Sequence, residues 1–82
     1  MSVWAVVPAY NEEAAVGETV AALYRDVGCR EVLVVDDGSR DGTARAAARA
    51  GARVVRLAHN GGKGRALARG ASVAVAEGRE AL

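Results

Sequence analysis

Residues 31–43 read EVLVVDDGSRDGT. Val32 to Val35 form an unbroken apolar run rich in β-branched residues, the pattern of a strand buried on both faces. Asp36 and Asp37 follow at its end, and Asp37-Gly38-Ser39 makes a turn. A helix capped by Ser39 or Asp41 is expected next, running to Ala50 with Gly51 as its stop. Ala44, Ala47 and Ala48 would form its inner face, and Arg45 and Arg49 would face water. A doubly buried strand that leads into a helix is the repeating unit of a parallel sheet with helical crossovers.

The same alternation continues on either side. Upstream, VWAVV (residues 3–7) reads as a strand bounded by Pro8. A helix is predicted from Glu12 to about Val27, with Val16, Val20, Leu23 and Val27 on one face. Asn11 is its expected N-cap and Gly28 its C-terminal stop. Downstream, RVVRL (residues 53–57) is a third strand, followed by a glycine-rich loop from His59 to Gly64. A third helix is expected from about Lys63 to Glu77, with Leu67, Gly70, Ala71 and Ala74 inward. The order is β-α-β-α-β-α, with crossovers long enough to be right-handed, so the fold class is α/β with parallel strands.

Composition narrows the class further. The chain has 82 residues, 51% apolar and 26% charged, with a net charge of +1. Disorder does not fit that balance, and no apolar run approaches the roughly 20 residues of a membrane span. Near-neutral charge gives no electrostatic case for nucleic-acid binding. No secretory leader is visible, and the single cysteine, Cys29, forms no internal disulfide, so a cytoplasmic location is expected. Phenylalanine is absent, and the aromatics are Trp4, Tyr10 and Tyr24. Alanine dominates the apolar content and contributes little burial per residue. A chain of this length buries only about 60–65% of its unfolded surface, so marginal stability is expected.

In open parallel sheets ligands bind outside the carboxyl ends of the strands. Those ends carry PAYNEE, DDGSRDGT and AHNGGKGR. In the first loop, Pro8 holds the chain extended after the strand, Tyr10 offers an aromatic face, and Glu12 sits where a helix dipole favours a carboxylate. The same residues also read as a plain acidic helix start. In the second, Asp36 and Asp37 point to opposite faces. One hydrogen-bonds backbone around the turn; the other faces the cleft and accepts from a base or a ribose hydroxyl. Solvated turn residues are the plainer reading. Asp41 reads as a helix cap. The third, Asn60 to Arg65, brings backbone N–H groups, Lys63 and Arg65 to a helix N-terminus suited to an anion. It is neither a Walker A loop nor a dinucleotide fingerprint. His59 lacks a partner at metal-ligand spacing and reads as a surface residue. Cys29, Trp4 and Tyr24 read as packing residues.

Taken together, VVPAYNEE, EVLVVDDGSRDGTARAA and NGGKGRALARG resemble the N-terminal half of family 2 glycosyltransferases of the GT-A fold, over about residues 3–78. The subgroup most similar moves a sugar from a nucleotide to a polyprenyl or dolichyl phosphate. The resemblance implies a partial Rossmann-like GT-A domain with a three-stranded parallel sheet. It implies that Pro8, Ala9, Tyr10 and Glu12 line the base and ribose pocket. Asp37 corresponds to the acid that hydrogen-bonds the base, and Asp36 helps form the same pocket. Lys63 and its glycine loop lie near the phosphates. The implied reaction is inverting transfer of a hexose from a UDP- or GDP-sugar to a lipid-linked phosphate acceptor, at the cytoplasmic face of a membrane. The family holds Mg²⁺ or Mn²⁺ with a D-x-D motif after a fourth strand and uses a later Asp as base. Neither motif occurs here, so residues 1–82 are expected to be a truncated nucleotide-sugar-binding subdomain that binds the nucleotide at most.

Without a fourth strand, one edge of the first strand would stay open, inviting self-association. A non-catalytic or partner-dependent half-domain is therefore the alternative. A receiver-like signalling domain is a poorer match, because His59-Asn60 stands where its phosphoacceptor Asp belongs.

Overall fold

A computed structural model describes residues 3–77 and 80–81. Strand β1 (Val3–Ala9) leads to helix α1 (Val16–Ala22), which passes directly into a π-helical turn (Leu23–Val27). Strand β2 (Glu31–Asp36), helix α2 (Thr43–Arg49), strand β3 (Arg53–Arg56) and helix α3 (Lys63–Ala76) follow. The three expected strands are present and parallel. A two-residue strand, β4 (Glu80–Ala81), adds to them, giving the order β3-β2-β1-β4. β4 pairs with Val3 and Trp4 only, so among the described residues the β1 edge is covered at its start and bare beyond.

Strand periodicity divides the core into two layers. Ala5, Ala9, Val32 and Val34 face α1 and α2, packing with Val16, Val20, Cys29 and Ala47. Trp4, Leu33 and Val35 face α3, packing with Ala66 and Ala74. Alanine suits both seams because it lets a helix lie close to the sheet. The closest approach is at Gly70 of α3, where any Cβ would collide with Val6.

Five local expectations are corrected. First, β1 runs through Pro8 to Ala9, with Pro8 in register with Val35. The Ala9 carbonyl accepts from Asp37 N–H at 2.8 Å, so the polar groups of Ala9 face β2. Those of Pro8 face the bare edge, where a missing donor breaks no ladder bond. Second, α1 begins at Val16, and Asn11 is not its cap: Asn11 adopts a left-handed φ of 51° and lies in the preceding loop. Third, Val27 is 54% exposed, because the π turn adds residues per turn and rotates it off the face of Val16 and Val20. Tyr24 ties that turn down, donating to the Gly51 carbonyl at 2.9 Å and accepting from Val32 N–H at 3.3 Å, while Gly28 ends it at φ 75° as expected.

Fourth, the inner face of α2 is Thr43 and Ala47 with Ala46 and Ala50 beside them, and Ala48 points to water. Fifth, α3 buries Ala66, Gly70 and Ala74, leaving Leu67 and Ala71 outside. Alanine and glycine patterns are nearly symmetric in hydrophobicity, so the inward row of such a helix is set by how closely the backbone must approach the sheet. No helix of the described residues is long and apolar enough to cross a membrane.

Candidate functional site

The carboxyl ends of β1, β2 and β3 bring the three loops to one rim. The first two are joined side to side by five hydrogen bonds between side chain and backbone. Asn11, Glu12 and Glu13 donate their backbone N–H groups to Ser39 Oγ (2.9 Å), Thr43 Oγ1 (2.8 Å) and Asp41 Oδ2 (3.3 Å). In return Asn11 Oδ1 accepts from Arg40 N–H at 3.0 Å and Glu13 Oε1 from Gly42 N–H at 3.0 Å. Most of the polar residues of DGSRDGT are therefore spent on backbone. They satisfy donors ahead of α1 that a local cap would otherwise serve. Asp41 also accepts from Thr43 N–H at 3.0 Å and from the Thr43 hydroxyl, so it does support the start of α2, whose N-cap residue is Gly42.

Asp36 and Asp37 part as period two requires. Asp36 continues the face of Val32 and Val34 and is fully buried; its Oδ1 accepts from Ser39 N–H at 3.0 Å, and its Oδ2 lies 3.5 Å from Arg56 Nε. It shapes the turn from behind and does not line the cleft. Asp37 continues the face of Leu33 and Val35, toward α3. Its Oδ1 accepts from Gly61 N–H at 2.9 Å and its Oδ2 from Gly62 N–H at 2.7 Å. The Gly61 bond, the Gly62 bond and nearby Arg65 hold its carboxyl below the usual carboxylate range, against the opposing effect of burial. Asp41 is lowered likewise, first by the Thr43 hydroxyl and then by backbone N–H groups.

Both acids have folded-state pKa values below their unfolded ones. Their stabilisation is thus full above the unfolded value, about 3.9, and is lost as pH falls through the lower folded value. In an acid titration followed by NMR, the Gly61 and Gly62 amides should hold their positions to pH about 4 and move together below it. Movement centred near pH 5 would contradict the carboxylate-to-loop bonds.

Between the loops lies a cleft of about 260 Å³, lined by Pro8, Ala9, Tyr10, Glu12, Asp37, Asn60, Gly62, Lys63 and Ala66. Of the seven residues singled out from sequence, six meet here and Asp36 does not. Tyr10, 43% exposed, stands at the rim, and Lys63 opens α3 after Gly62. Asn60, Gly62 and Ala66 add to the wall. The first two belong to the loop quoted from sequence; Ala66 is reached only once the inward row of α3 is known. Among the described residues no three His, Cys, Asp or Glu side chains stand together as metal ligands.

A parallel sheet with helices on both faces and a polar cleft at the strand ends defines an α/β ligand-binding scaffold. The family of such scaffolds follows from comparison: the glycosyl transferase family 2 model matches residues 4–77, and the chain belongs to that family. Glycosyltransferase AglJ of Haloferax volcanii is 45% identical over 60 residues, 73% of this chain and 19% of that protein. Mannosyl-3-phosphoglycerate synthase from Rubrobacter xylanophilus superposes with a TM-score of 0.77 at 33% identity, over 89% of this chain and 27% of that one. Glucosyl-3-phosphoglycerate synthase from Mycobacterium tuberculosis, solved with Mn²⁺, UDP-glucose and phosphoglyceric acid, gives 0.71 at 35% identity, over 83% and 27%. This chain spans less than a third of the length of each.

Proposed function

We propose that the chain is the nucleotide-holding part of a glycosyltransferase that moves a hexose from a UDP- or GDP-sugar to a phosphate-bearing, lipid-linked acceptor at the cytoplasmic face of a membrane. The observation that carries this reading is the meeting of Tyr10, Glu12, Asp37 and Lys63 around one cleft at the strand ends. Tyr10 supplies a face for a base. Asp37 has acceptor capacity left for a base N–H, since a carboxylate offers about four lone-pair sites. Glu12 suits a ribose hydroxyl, and Lys63 at the start of α3 suits a phosphate. The cleft lies just below the ~300 Å³ at which pockets begin to enclose a whole small ligand. It therefore fits a base with part of its ribose, the phosphates running out past Lys63.

The glucosyl-3-phosphoglycerate synthase complex supports a nucleotide sugar as donor. It also carries Mn²⁺. The residues described here do not fit such an ion: Asp36 and Asp37 point to opposite faces, and among the described residues no three acidic, histidine or cysteine side chains stand together. The roles proposed for this chain therefore involve no metal. Self-association along the bare β1 edge belongs to the same proposal for the chain by itself, since an uncovered strand edge templates pairing.

Titration of the ¹⁵N-labelled chain with UDP and with GDP tests the reading. One of the two should shift Tyr10, Glu12 and the 61–63 amides, with a dissociation constant on the order of 0.1–1 mM for a cleft that holds only part of the ligand. Asp37→Ala should abolish those shifts. Identical shifts in both proteins would remove Asp37 from the pocket, and no response to either nucleotide would overturn the reading.

A further inference from the structure

Arg65 lies in the first turn of α3, yet its side chain folds back over the loop before it. Its Nη2 donates to the His59 carbonyl at 2.6 Å and lies 3.6 Å from Asp37 Oδ1, while Nη1 lies 3.5 Å from His59 Nε2. The guanidinium occupies the space that a Cβ on Gly61 would need, so a larger residue there would displace the Arg65 side chain. Asp37 holds the Gly61 and Gly62 N–H groups from the other side. The glycine-rich loop is thus gripped between a carboxylate at the end of β2 and a guanidinium on α3. Arg65 itself is absent from the cleft wall, although Lys63 and Ala66 beside it are present.

We infer that Arg65 is the positioning residue of the cleft: it pins the glycine-rich loop to Asp37 and thereby sets where Lys63 stands for a nucleotide's phosphates. The ligand part of this inference rests on the nucleotide reading above; the loop part does not. A guanidinium suits the geometry, since Nη2 serves the His59 carbonyl and faces the Asp37 carboxylate while Nη1 faces the His59 ring. A lysine offers a single nitrogen, which could serve the carbonyl and the carboxylate but not the His59 ring as well. The arrangement also couples the two ends of a nucleotide. A base that engages Asp37 meets a carboxylate already braced by the loop, and the same brace fixes the helix start that carries Lys63.

The test compares the chain with its Arg65→Gln, Arg65→Lys, Lys63→Ala and Lys63→Ala/Arg65→Gln variants, using UDP, GDP, uridine and guanosine as probes. Arg65→Gln should weaken the preferred diphosphate about tenfold and its nucleoside less than about threefold. In the Lys63→Ala background it should bring no further loss, because Arg65 acts through Lys63. Arg65→Lys keeps a charged nitrogen for the carbonyl and the carboxylate, so it should lose less than Arg65→Gln, and this milder change guards against a variant that fails to fold. In the ligand-free proteins the Gly61 and Gly62 amides should shift and lose exchange protection. A purely structural role for Arg65 would lower the melting temperature while leaving these amides and the diphosphate-to-nucleoside ratio unmoved, and that result would overturn the inference. So would losses at Lys63 and Arg65 that multiply independently. Should the chain bind none of the probes, the nucleotide reading fails by itself. The Gly61 and Gly62 amides then decide the role of Arg65.

Discussion

Replacing Gly38 by alanine should release the third loop from the cleft and lower stability by about 2–5 kcal/mol. Two effects add. Gly38 has φ 75°, a conformation that costs an L-residue roughly 1–2 kcal/mol. A Cβ there would also stand 2.6 Å from the His59 carbonyl carbon and 2.7 Å from Asn60 N. Both are backbone atoms, so no side chain can rotate aside and the loop itself must move, adding about 1–3 kcal/mol. Gly28 separates the two effects. It shares the φ of 75°, but a Cβ there would meet nothing within 4 Å. Gly28→Ala should therefore show the backbone cost alone, about 1–2 kcal/mol. Urea midpoints report the difference, and the Gly61 and Gly62 amides report whether the loop has moved. Equal losses in both variants, with unmoved amides, would mean that Gly38 and the loop are not in close contact.

Trp4→Ala should unfold the chain or bring it close to unfolding, whereas Trp4→Phe should not. Trp4 is 1% exposed and is the largest side chain in the layer between the sheet and α3. Its loss removes about 3–5 kcal/mol. A domain of this size has on the order of 4–12 kcal/mol in total, and the alanine-rich layers place this one low in that range. Neighbouring alanines cannot collapse far enough to fill the cavity. Phenylalanine keeps most of the volume and the face that Arg53 covers at 5.4 Å. Nor does it break a hydrogen bond, because Trp4 Nε1 has no partner among the described residues. The expected loss for Trp4→Phe is below about 1.5 kcal/mol. Urea unfolding followed by circular dichroism measures both. Equal damage from the two substitutions would mean that the indole N–H carries a bond of its own.

The two layers of this fold were legible in different degrees. β2 was plain from sequence, since only a strand buried on both faces carries Val32 to Val35 without interruption. The start of α1 was not. Asn11-Glu12-Glu13 looks like a local cap, and the acceptors that serve those N–H groups arrive instead from Ser39, Asp41 and Thr43, about thirty residues on. No local pattern encodes a partner at that distance. The inward row of α3 was hidden for another reason. Leu67 is its most apolar early residue, yet the helix turns Ala66, Gly70 and Ala74 to the sheet, because Val6 and Val35 leave room for nothing larger at Gly70.

The sequence alone determined that the chain alternates strands and helices, that its strands run parallel, and which three loops crowd one rim. These follow from local periodicity and from the chirality of crossovers, neither of which needs a distant partner. It also separated Asp36 from Asp37, since neighbours on a strand cannot share a face. Only the tertiary structure decided which of the two reaches the cleft. β2 presents its odd residues to α3, so Asp37 meets the glycine-rich loop and Asp36 is buried beneath the turn with Arg56. That choice depends on which face each helix covers. Packing across the whole sheet settles it, because burying a carboxylate is tolerable only where backbone N–H groups or a guanidinium wait to receive it.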